Sequence, residues 1–365
     1  MDVVIKPTYR CNLDCRYCCI HVTDRDDLSS NEAKRILEAA AARSPEGVMQ
    51  ARWHGGEPLC MGYEWFEEVF WHQKSLPVQV NNVVFTNLLL LGDDFLQLFK
   101  DNNVIIFTSL DAVDSLLDEE RGGRCEDVMG RLDALECAGY SDVTVKTTVT
   151  SANLAGLVDT YDYLKGKPFE WNFAPVFPAG RGKEHCLEVL PSAAEFASLS
   201  GAILDDWVQT GKPRIYLFRK VIEELLRTRA SGEIERPMFN VDAHGDVYRC
   251  IQFQGNKDYK VAAFGGVGTI DAFEACTCEW STFHFASCDF CDFTWICKFN
   301  HCSYLGDSLG SLGNDFAERY CALMRPLLSR TQQALTEEIG FVLHDASRAP
   351  VSTEKRGCLQ REGGD

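Results

Sequence analysis

The chain has 365 residues, 45% of them hydrophobic, and a formal net charge of −18 at pH 7. This length allows one large barrel-type domain with a smaller one attached. The acidic charge argues against a nucleic-acid-binding surface, and no apolar run approaches membrane-spanning length. The sequence shows neither a secretory signal nor a transit peptide, so its 17 cysteines favour metal centres in the reducing cytoplasm over disulfides.

Strand-like and helix-like segments alternate through the first half of the chain. Ser29 and Glu32 have the spacing of a capping box that opens the first helix. Six βα units in series predict a parallel sheet with right-handed crossovers, curled into a partial (β/α)6 TIM-like barrel, in the α/β class. Functional residues should then lie at the carboxyl ends of its strands. The predicted strands cover residues 2–7, 47–53, 78–86, 104–110, 143–150 and 169–177.

The second half of the chain has a different sequence pattern. After about residue 237, short strands, glycines and dense cysteines replace the alternation of strands and helices. The expected organisation is a barrel domain at 1–185, a helical connection at 186–236, a small cysteine-rich iron–sulfur domain at 237–325, and a C-terminal helix with a weakly ordered tail at 326–365. The tail is expected to begin at about residue 341.

Three cysteines with the spacing C-x3-C-x2-C follow the first predicted strand: Cys11, Cys15 and Cys18. Thiolates suit iron–sulfur clusters or zinc. A tetrahedral zinc site would need a fourth ligand, and the only nearby residues, Cys19 and His21, do not give a familiar zinc spacing. A cluster on three thiolates leaves one iron open to a substrate or cofactor. We therefore favour a cluster over buried free thiols, and interpret Cys19 as a packing residue.

With Tyr17 as the aromatic residue before the third cysteine, this loop resembles the signature of the radical S-adenosylmethionine superfamily. The resemblance implies a [4Fe–4S] cluster whose open iron binds the amino and carboxylate groups of S-adenosylmethionine. One electron, from a donor such as flavodoxin or ferredoxin, then cleaves the cofactor to methionine and a 5′-deoxyadenosyl radical. The cofactor supplies the difficult chemistry and the protein positions it.

A second run after the second predicted strand, Gly55-Gly56-Glu57-Pro58, resembles the superfamily's GGEP motif. Glycines let a backbone approach a ligand closely, and a carboxylate suits an ammonium group. The resemblance implies that this run contacts the methionine amino group of the cofactor.

The remaining candidate cofactor contacts follow later strands. Ser109 and Asp111 resemble the S-x-D-G segment, with Ala112 in place of the usual glycine, and Arg121 fits the later D-x-x-R. The resemblance implies that Ser109 and Asp111 lie near the cofactor ribose and the active cavity. Val176, after the sixth strand, is expected near the adenine.

A third constellation, in the second half, resembles the SPASM domain, an auxiliary-cluster module on radical enzymes that modify peptides and proteins. The resemblance implies one auxiliary [4Fe–4S] cluster on four thiolates, and a zinc site on the same thiolates is the alternative. These four are Cys288, Cys291, Cys297 and Cys321.

A second auxiliary cluster has an incomplete ligand set, because no cysteine occupies the expected position upstream of Gly245. Only Cys250 and Cys302 match the family pattern. Cys276 and Cys278 are extra cysteines that either supply the missing ligands or are unrelated packing thiols.

The predicted function is hydrogen abstraction from a peptide or protein side chain, leading to oxidation or cross-linking. One alternative is a dehydrogenase or epimerase of a small cationic molecule, such as an aminocyclitol or aminoglycoside. Another is a non-catalytic iron–sulfur redox protein, which would have no need of a Gly-Gly-Glu-Pro run. In anaerobic sulfatase maturases the residue matching Ile251 is an aspartate proposed as base. That activity is disfavoured unless Asp242, Asp246 or another carboxylate substitutes, and no general base is predicted.

Overall fold

The structure is a computed structural model that describes most of the chain but not all of the cysteine-rich region. Six of the predicted cluster ligands lie outside the described residues: Cys250, Cys276, Cys278, Cys288, Cys297 and Cys302. No helix among the described residues is long and apolar enough to cross a membrane. The described residues are 2–20, 27–44, 46–185, 187–226, 238–248, 251, 254–263, 291, 293 and 311–348.

Six parallel strands, each paired with the next, form the predicted barrel sheet. They are β1 (Asp2–Ile5), β2 (Val48–Trp53), β3 (Gln79–Phe85), β4 (Ile105–Ser109), β5 (Val143–Val149) and β6 (Glu170–Pro175). The connecting helices are α1 (Ser30–Ala41), α2 (Tyr63–Gln73), α3 (Asp93–Asp101), α4 (Cys125–Cys137) and α5 (Leu157–Lys165). This order confirms the α/β fold class and the βα series read from the sequence.

Local signals account for where these elements begin. Ser29 caps α1, and its side chain and that of Glu32 each accept a hydrogen bond from the other's backbone N–H, which confirms the capping box. In α3 the buried residues Phe95, Leu98 and Phe99 form one face that belongs to the hydrophobic core.

An aromatic cluster fixes the end of β2. Trp53 packs edge-on against Phe66 of α2 at 5.9 Å between ring centroids, and Phe66 in turn contacts Phe70 and Phe95 at 5.5 and 5.9 Å. Such edge-to-face pairs stabilise by about 0.5–1.5 kcal/mol each beyond the area that they bury. Trp53 directly precedes the His54-Gly55-Gly56 turn, so the cluster anchors the backbone that carries the second motif.

The sheet has four more strands than the sequence predicted. These are β7 (Arg214–Ile215), parallel to β6, then β8 (Met238–Val241), parallel to β1, and the antiparallel pair β9 (Asp246–Tyr248) and β10 (Lys260–Ala263). The two-residue β7 is too short for a periodic signal. Because β8 pairs with β1, the sheet continues past residue 237, where we placed a domain boundary; the boundaries themselves stay predictions.

The short α6 (Gly182–His185) follows the sixth strand at the end of the predicted barrel domain, and α7 (Ala193–Thr210) and α8 (Tyr216–Leu225) lie in the region predicted as a connection. The last described element is α9 (Ser311–Arg348), which packs against α7 and α8. Arg330 of α9 donates to both carboxylate oxygens of Asp205 at 2.8 and 2.6 Å. The bounds of α9 extend past residue 341, where the tail was expected to begin, and the weak order of the tail stays a prediction.

Candidate functional site

The predicted cluster ligands lie in residues 11–18, called the cysteine loop below, at the carboxyl end of β1. All three thiols, of Cys11, Cys15 and Cys18, line one cavity of about 610 Å³. Burial raises the pKa of Cys11 to about 11 and that of Cys15 to about 12, and the neighbouring thiols add to both shifts. Converging thiols of this kind fit a positively charged iron–sulfur centre, because bound metal replaces their protons.

No three His, Cys, Asp or Glu side chains in the described part of the chain approach one point closely enough to hold a single metal ion. The three thiols, as placed, surround a cavity. A cubane distributes its ligands over separate corners, so thiols around a cavity suit the predicted [4Fe–4S] cluster.

The Gly-Gly-Glu-Pro turn supports the cysteine loop directly. The Gly56 N–H donates to the Thr8 carbonyl at 3.1 Å, and the Glu57 N–H donates to the Arg10 carbonyl at 2.8 Å. A Cβ atom on Gly55, whose φ is +136°, would lie 2.4 Å from the Thr8 oxygen, and one on Gly56 would lie 2.2 Å from the Arg10 oxygen. The close backbone approach that we predicted is therefore made to the residues that lead into the loop.

The Glu57 carboxylate is buried and already has backbone partners. One oxygen accepts the Leu59 N–H at 3.0 Å and the other accepts the Asn87 N–H at 2.7 Å. Burial raises its pKa to about 6, against the opposing effect of these bonds. Glu57 thus caps the short helical turn Pro58–Met61 and ties the end of β2 to the residues after β3. A carboxylate has further lone pairs, so its predicted contact with the cofactor amino group stays a prediction.

The structure joins Tyr17 of the cysteine loop to the fourth-strand motif. The Tyr17 hydroxyl donates to one Asp111 oxygen, and the Thr148 N–H donates to the other at 2.9 Å. Burial raises the pKa of Asp111 to about 6, and the nearby charge of Arg121 opposes the shift. Ser109 ends β4 two residues before Asp111.

Arg121 and Val176 lie beside the same loop. The Arg121 charge lowers the pKa of Cys15 against its burial, so the buried guanidinium lies near that thiol. Val176 is fully buried and packs with Tyr17 and Val189. The structure thus brings the candidate cofactor residues around the cysteine loop, while their individual roles stay predictions.

Glycines after β6 hold the loop from the other side, a contact that sequence reasoning missed. A Cβ atom on Gly180 would lie 2.5 Å from the Cys18 carbonyl oxygen, and one on Gly182 would lie 2.9 Å from that of Tyr17. Arg181 donates to Asp14. The Pro178-Ala179-Gly180-Arg181 run was the available signal.

A group of cationic and neutral nitrogens lies inside the barrel, and the sequence did not predict that these side chains come together. Lys6 is 1% exposed, and its ammonium donates to the Ile251 carbonyl at 3.3 Å. His54 is held neutral, because burial together with the charges of Lys6 and Lys146 lowers its pKa to about 3. Lys146 is exposed, although its strand neighbours Val145 and Thr147 are buried. Successive strand residues face opposite sides, so Lys146 points away from the helix-covered face.

Cys19 packs against the small cluster of Tyr9, Ile20 and Ala243, which confirms its interpretation as a packing residue. Burial raises the pKa of its thiol, while Lys146 and Lys6 act in the opposite direction. The side chain therefore lies near the lysines as well, on the inner side of the barrel.

The two carboxylates considered as substitutes for the missing aspartate have structural partners. Asp242 is fully buried; one oxygen accepts the Tyr9 hydroxyl at 3.0 Å, and the other accepts the N–H groups of His244 and Asp246 at 3.0 and 2.9 Å. Asp246 forms an ion pair with Lys260 at 2.6 Å. Neither carboxylate is free to act as a base in this arrangement.

Only two of the predicted auxiliary ligands, Cys291 and Cys321, are among the described residues. Cys321 lies on α9. Burial raises the pKa of its thiol, and the charge of Cys291 adds to the shift, so the two side chains lie near each other. This proximity is what a shared cluster requires, and the shared cluster stays a prediction.

Comparison with known proteins supports the resemblance to radical S-adenosylmethionine enzymes. Residues 5–164 match the family described as the Radical SAM superfamily. A serine-type anaerobic sulfatase-maturating enzyme of Bacteroides thetaiotaomicron is 24% identical over 294 residues, 69% of each chain. Matches to curated relatives span from 31% to 79% of their lengths.

Two solved structures resemble the fold. Native anSMEcpe with bound AdoMet and Kp18Cys peptide has a TM-score of 0.72 at 19% identity, covering 91% of this chain and 99% of that one. Streptococcus suis SuiB bound to precursor peptide SuiA has a TM-score of 0.56 at 18% identity, covering 74% of this chain and 64% of that one.

The match to the Radical SAM superfamily runs from the end of β1 through most of α5. It includes the cysteine loop, the Gly-Gly-Glu-Pro turn and Asp111. The cofactors are the [4Fe–4S] cluster and S-adenosylmethionine that the sequence implied. Residues 5–164 are a radical SAM domain, and this match together with the similarity to sulfatase-maturating enzymes supports a radical SAM enzyme activity.

Proposed function

We propose that this enzyme abstracts hydrogen from a peptide or protein side chain, leading to its oxidation or cross-linking. The observation that carries the proposal is the charge inside the barrel. When bound, the cluster and S-adenosylmethionine supply a 5′-deoxyadenosyl radical. The cysteine loop would hold the cluster, and the cofactor would lie among Tyr17, Gly55, Gly56, Glu57, Ser109, Asp111, Arg121 and Val176.

The interior charge favours a substrate with a carboxylate. Burial and the charges of Lys6 and Lys146 lower the pKa of His54, so this neutral histidine lies within reach of two ammonium groups. A carboxylate from an acidic side chain or a peptide terminus would gain a charge-assisted hydrogen bond there. A cationic aminocyclitol or aminoglycoside would meet like charge. No described contact favours that alternative.

A peptide substrate also agrees with the relatives, since solved structures of anSMEcpe and SuiB contain bound peptides. We do not extend the sulfatase-maturase reaction to this chain. Ile251 stands where those enzymes have the aspartate proposed as base. The Lys6 ammonium donates a hydrogen bond to the Ile251 carbonyl, so an ammonium group and not a carboxylate is present at this position. The non-catalytic alternative is set aside, because the radical SAM domain and the similarity to sulfatase-maturating enzymes support an enzyme activity.

One auxiliary cluster on Cys288, Cys291, Cys297 and Cys321 would accept the electron of the substrate radical. A second would use Cys250 and Cys302, completed by Cys276 and Cys278. A flavodoxin or ferredoxin in the cytoplasm would supply the electron for cofactor cleavage.

The test compares substrates by the 5′-deoxyadenosine that they elicit from anaerobically reconstituted enzyme. Matched peptide libraries of one length, rich in Asp and Glu or in Lys and Arg, are incubated with cofactor and reductant beside an aminocyclitol panel. The acidic library should stimulate the product most, and deuterium should pass from labelled peptide into 5′-deoxyadenosine. Lys146→Met should remove the preference for acidic peptides. Stimulation by aminocyclitols alone would overturn the proposal.

A further inference from the structure

A fourth thiol lines the cavity of the cysteine loop. Cys60, in the short helical turn Pro58–Met61, borders the same 610 Å³ space as Cys11, Cys15 and Cys18. The three-cysteine motif does not include it, and none of the roles assigned above uses it. Four thiols on one cavity equal the number of protein ligands in a fully thiolate-bound [4Fe–4S] cluster.

Backbone contacts on both sides fix the position of Cys60. Its N–H donates to the Glu57 carbonyl at 3.0 Å, and its own carbonyl accepts a hydrogen bond from the Arg10 guanidinium at 2.9 Å. Arg10 is in turn held by the Asp27 carboxylate through bonds of 3.0 and 2.5 Å. Because Arg10 directly precedes Cys11, the same contacts hold the Cys60 turn against the start of the cysteine loop.

Cys60 is partly exposed, as expected for a side chain that faces a cavity.

We propose that Cys60 binds the open iron of the cluster at the cysteine loop while S-adenosylmethionine is absent, and leaves it when the cofactor binds. The thiol gives up a proton when its sulfur binds iron, and regains one when the amino and carboxylate groups of the cofactor replace it. No electron moves in this ligand exchange. The consequence is a resting cluster in which every iron has a protein thiolate, protected against loss of its labile iron. The inference does not depend on which substrate the enzyme uses.

The test is oxidative loss of one iron, followed by the paramagnetic resonance signal of the [3Fe–4S]⁺ product. Wild-type, Cys60→Ala and Cys137→Ala proteins are reconstituted anaerobically and titrated with ferricyanide, with and without S-adenosylmethionine. Cys137 is the matched control, because it is an exposed thiol at the end of α4. A variant in which Cys11, Cys15 and Cys18 are replaced gives the signal of the auxiliary clusters alone, and this signal is subtracted from the others.

Without the cofactor, Cys60→Ala should give a signal severalfold larger than the wild type or the control. With the cofactor all three proteins should give equal signals, because the amino and carboxylate groups of the cofactor are then bound to the open iron. Equal signals without the cofactor, or the same increase in Cys137→Ala, would overturn the proposal and leave Cys60 a packing thiol.

A second measurement needs no variant. Alkylation of wild-type Cys60, followed by mass spectrometry, should be severalfold slower in cluster-loaded protein than in iron-stripped protein. Equal rates in the two forms would also overturn the proposal.

Discussion

Replacing Gly56 by alanine should remove the radical cluster while leaving the rest of the protein folded. The added Cβ would lie 2.2 Å from the Arg10 carbonyl oxygen and 2.6 Å from that of Tyr9, and both are backbone atoms. Reaching 3.0 Å from Arg10 needs a shift of at least 0.8 Å, which the start of the cysteine loop must absorb. Overpacking of this kind costs about 1–3 kcal/mol. Loss of the Thr8 and Arg10 backbone bonds adds about 0.5–1.5 kcal/mol each.

The assay is iron content, visible absorption and 5′-deoxyadenosine formation after anaerobic reconstitution. Gly56→Ala should lose about four irons and cleave no cofactor, while its circular dichroism stays near that of the wild type. The matched control is Gly130→Ala in α4, where nothing lies within 4 Å of the added atom; it should keep all irons and gain up to about 1 kcal/mol of helix stability. Full iron content and normal cofactor cleavage in Gly56→Ala would refute the reasoning.

Three further outcomes are expected. Glu57→Ala should weaken cofactor binding by about 1.5–3 kcal/mol in calorimetry; unchanged affinity of a folded variant would contradict the assignment of this motif. Burial raises the pKa of Asp111 to about 6, so its contribution to apoprotein stability is present below pH 4 and is lost as the pH rises through 6. Asp111→Asn should therefore reduce the fall in urea-unfolding free energy between pH 5 and 8 by about 1–1.5 kcal/mol, and an unreduced fall would contradict this. Cys276→Ala/Cys278→Ala, in a background without the radical cluster, should lose about four irons; unchanged iron and Mössbauer spectra would exclude both as ligands.

The barrel could be predicted from the sequence because its signals are local. Each of the first six strands is an apolar or β-branched run followed by a helical segment, and Ser29 and Glu32 mark the start of α1. The cysteine loop and the Gly-Gly-Glu-Pro turn could also be found, because each is a contiguous motif with fixed spacing. The two-residue β7 has no local pattern, and the pairing of β8 with β1 joins residues far apart in the chain, so neither addition to the barrel sheet was predicted.

The missed contacts at the site have the same cause. Tyr17 and Asp111 are 94 positions apart, and the Lys6 contact with Ile251 spans 245 positions. Glu57 was predicted as a ligand contact from its motif, but its bonds to Leu59 and Asn87 require the folded ends of β2 and β3. Cys60 lies two residues after the Gly-Gly-Glu-Pro motif and belongs to no motif. Only the fold places it on the cavity that the other three thiols line.

Replacing Cys11, Cys15 and Cys18 together by alanine shows whether the cysteine loop holds the catalytic [4Fe–4S] cluster. Anaerobically reconstituted wild-type protein should hold about eight to twelve irons, because two or three cubanes follow from the cysteine motifs. The triple variant should lose about four of these irons and form no 5′-deoxyadenosine. Stoichiometric zinc with negligible iron in wild-type protein, or cofactor cleavage that survives in the triple variant, would contradict the account.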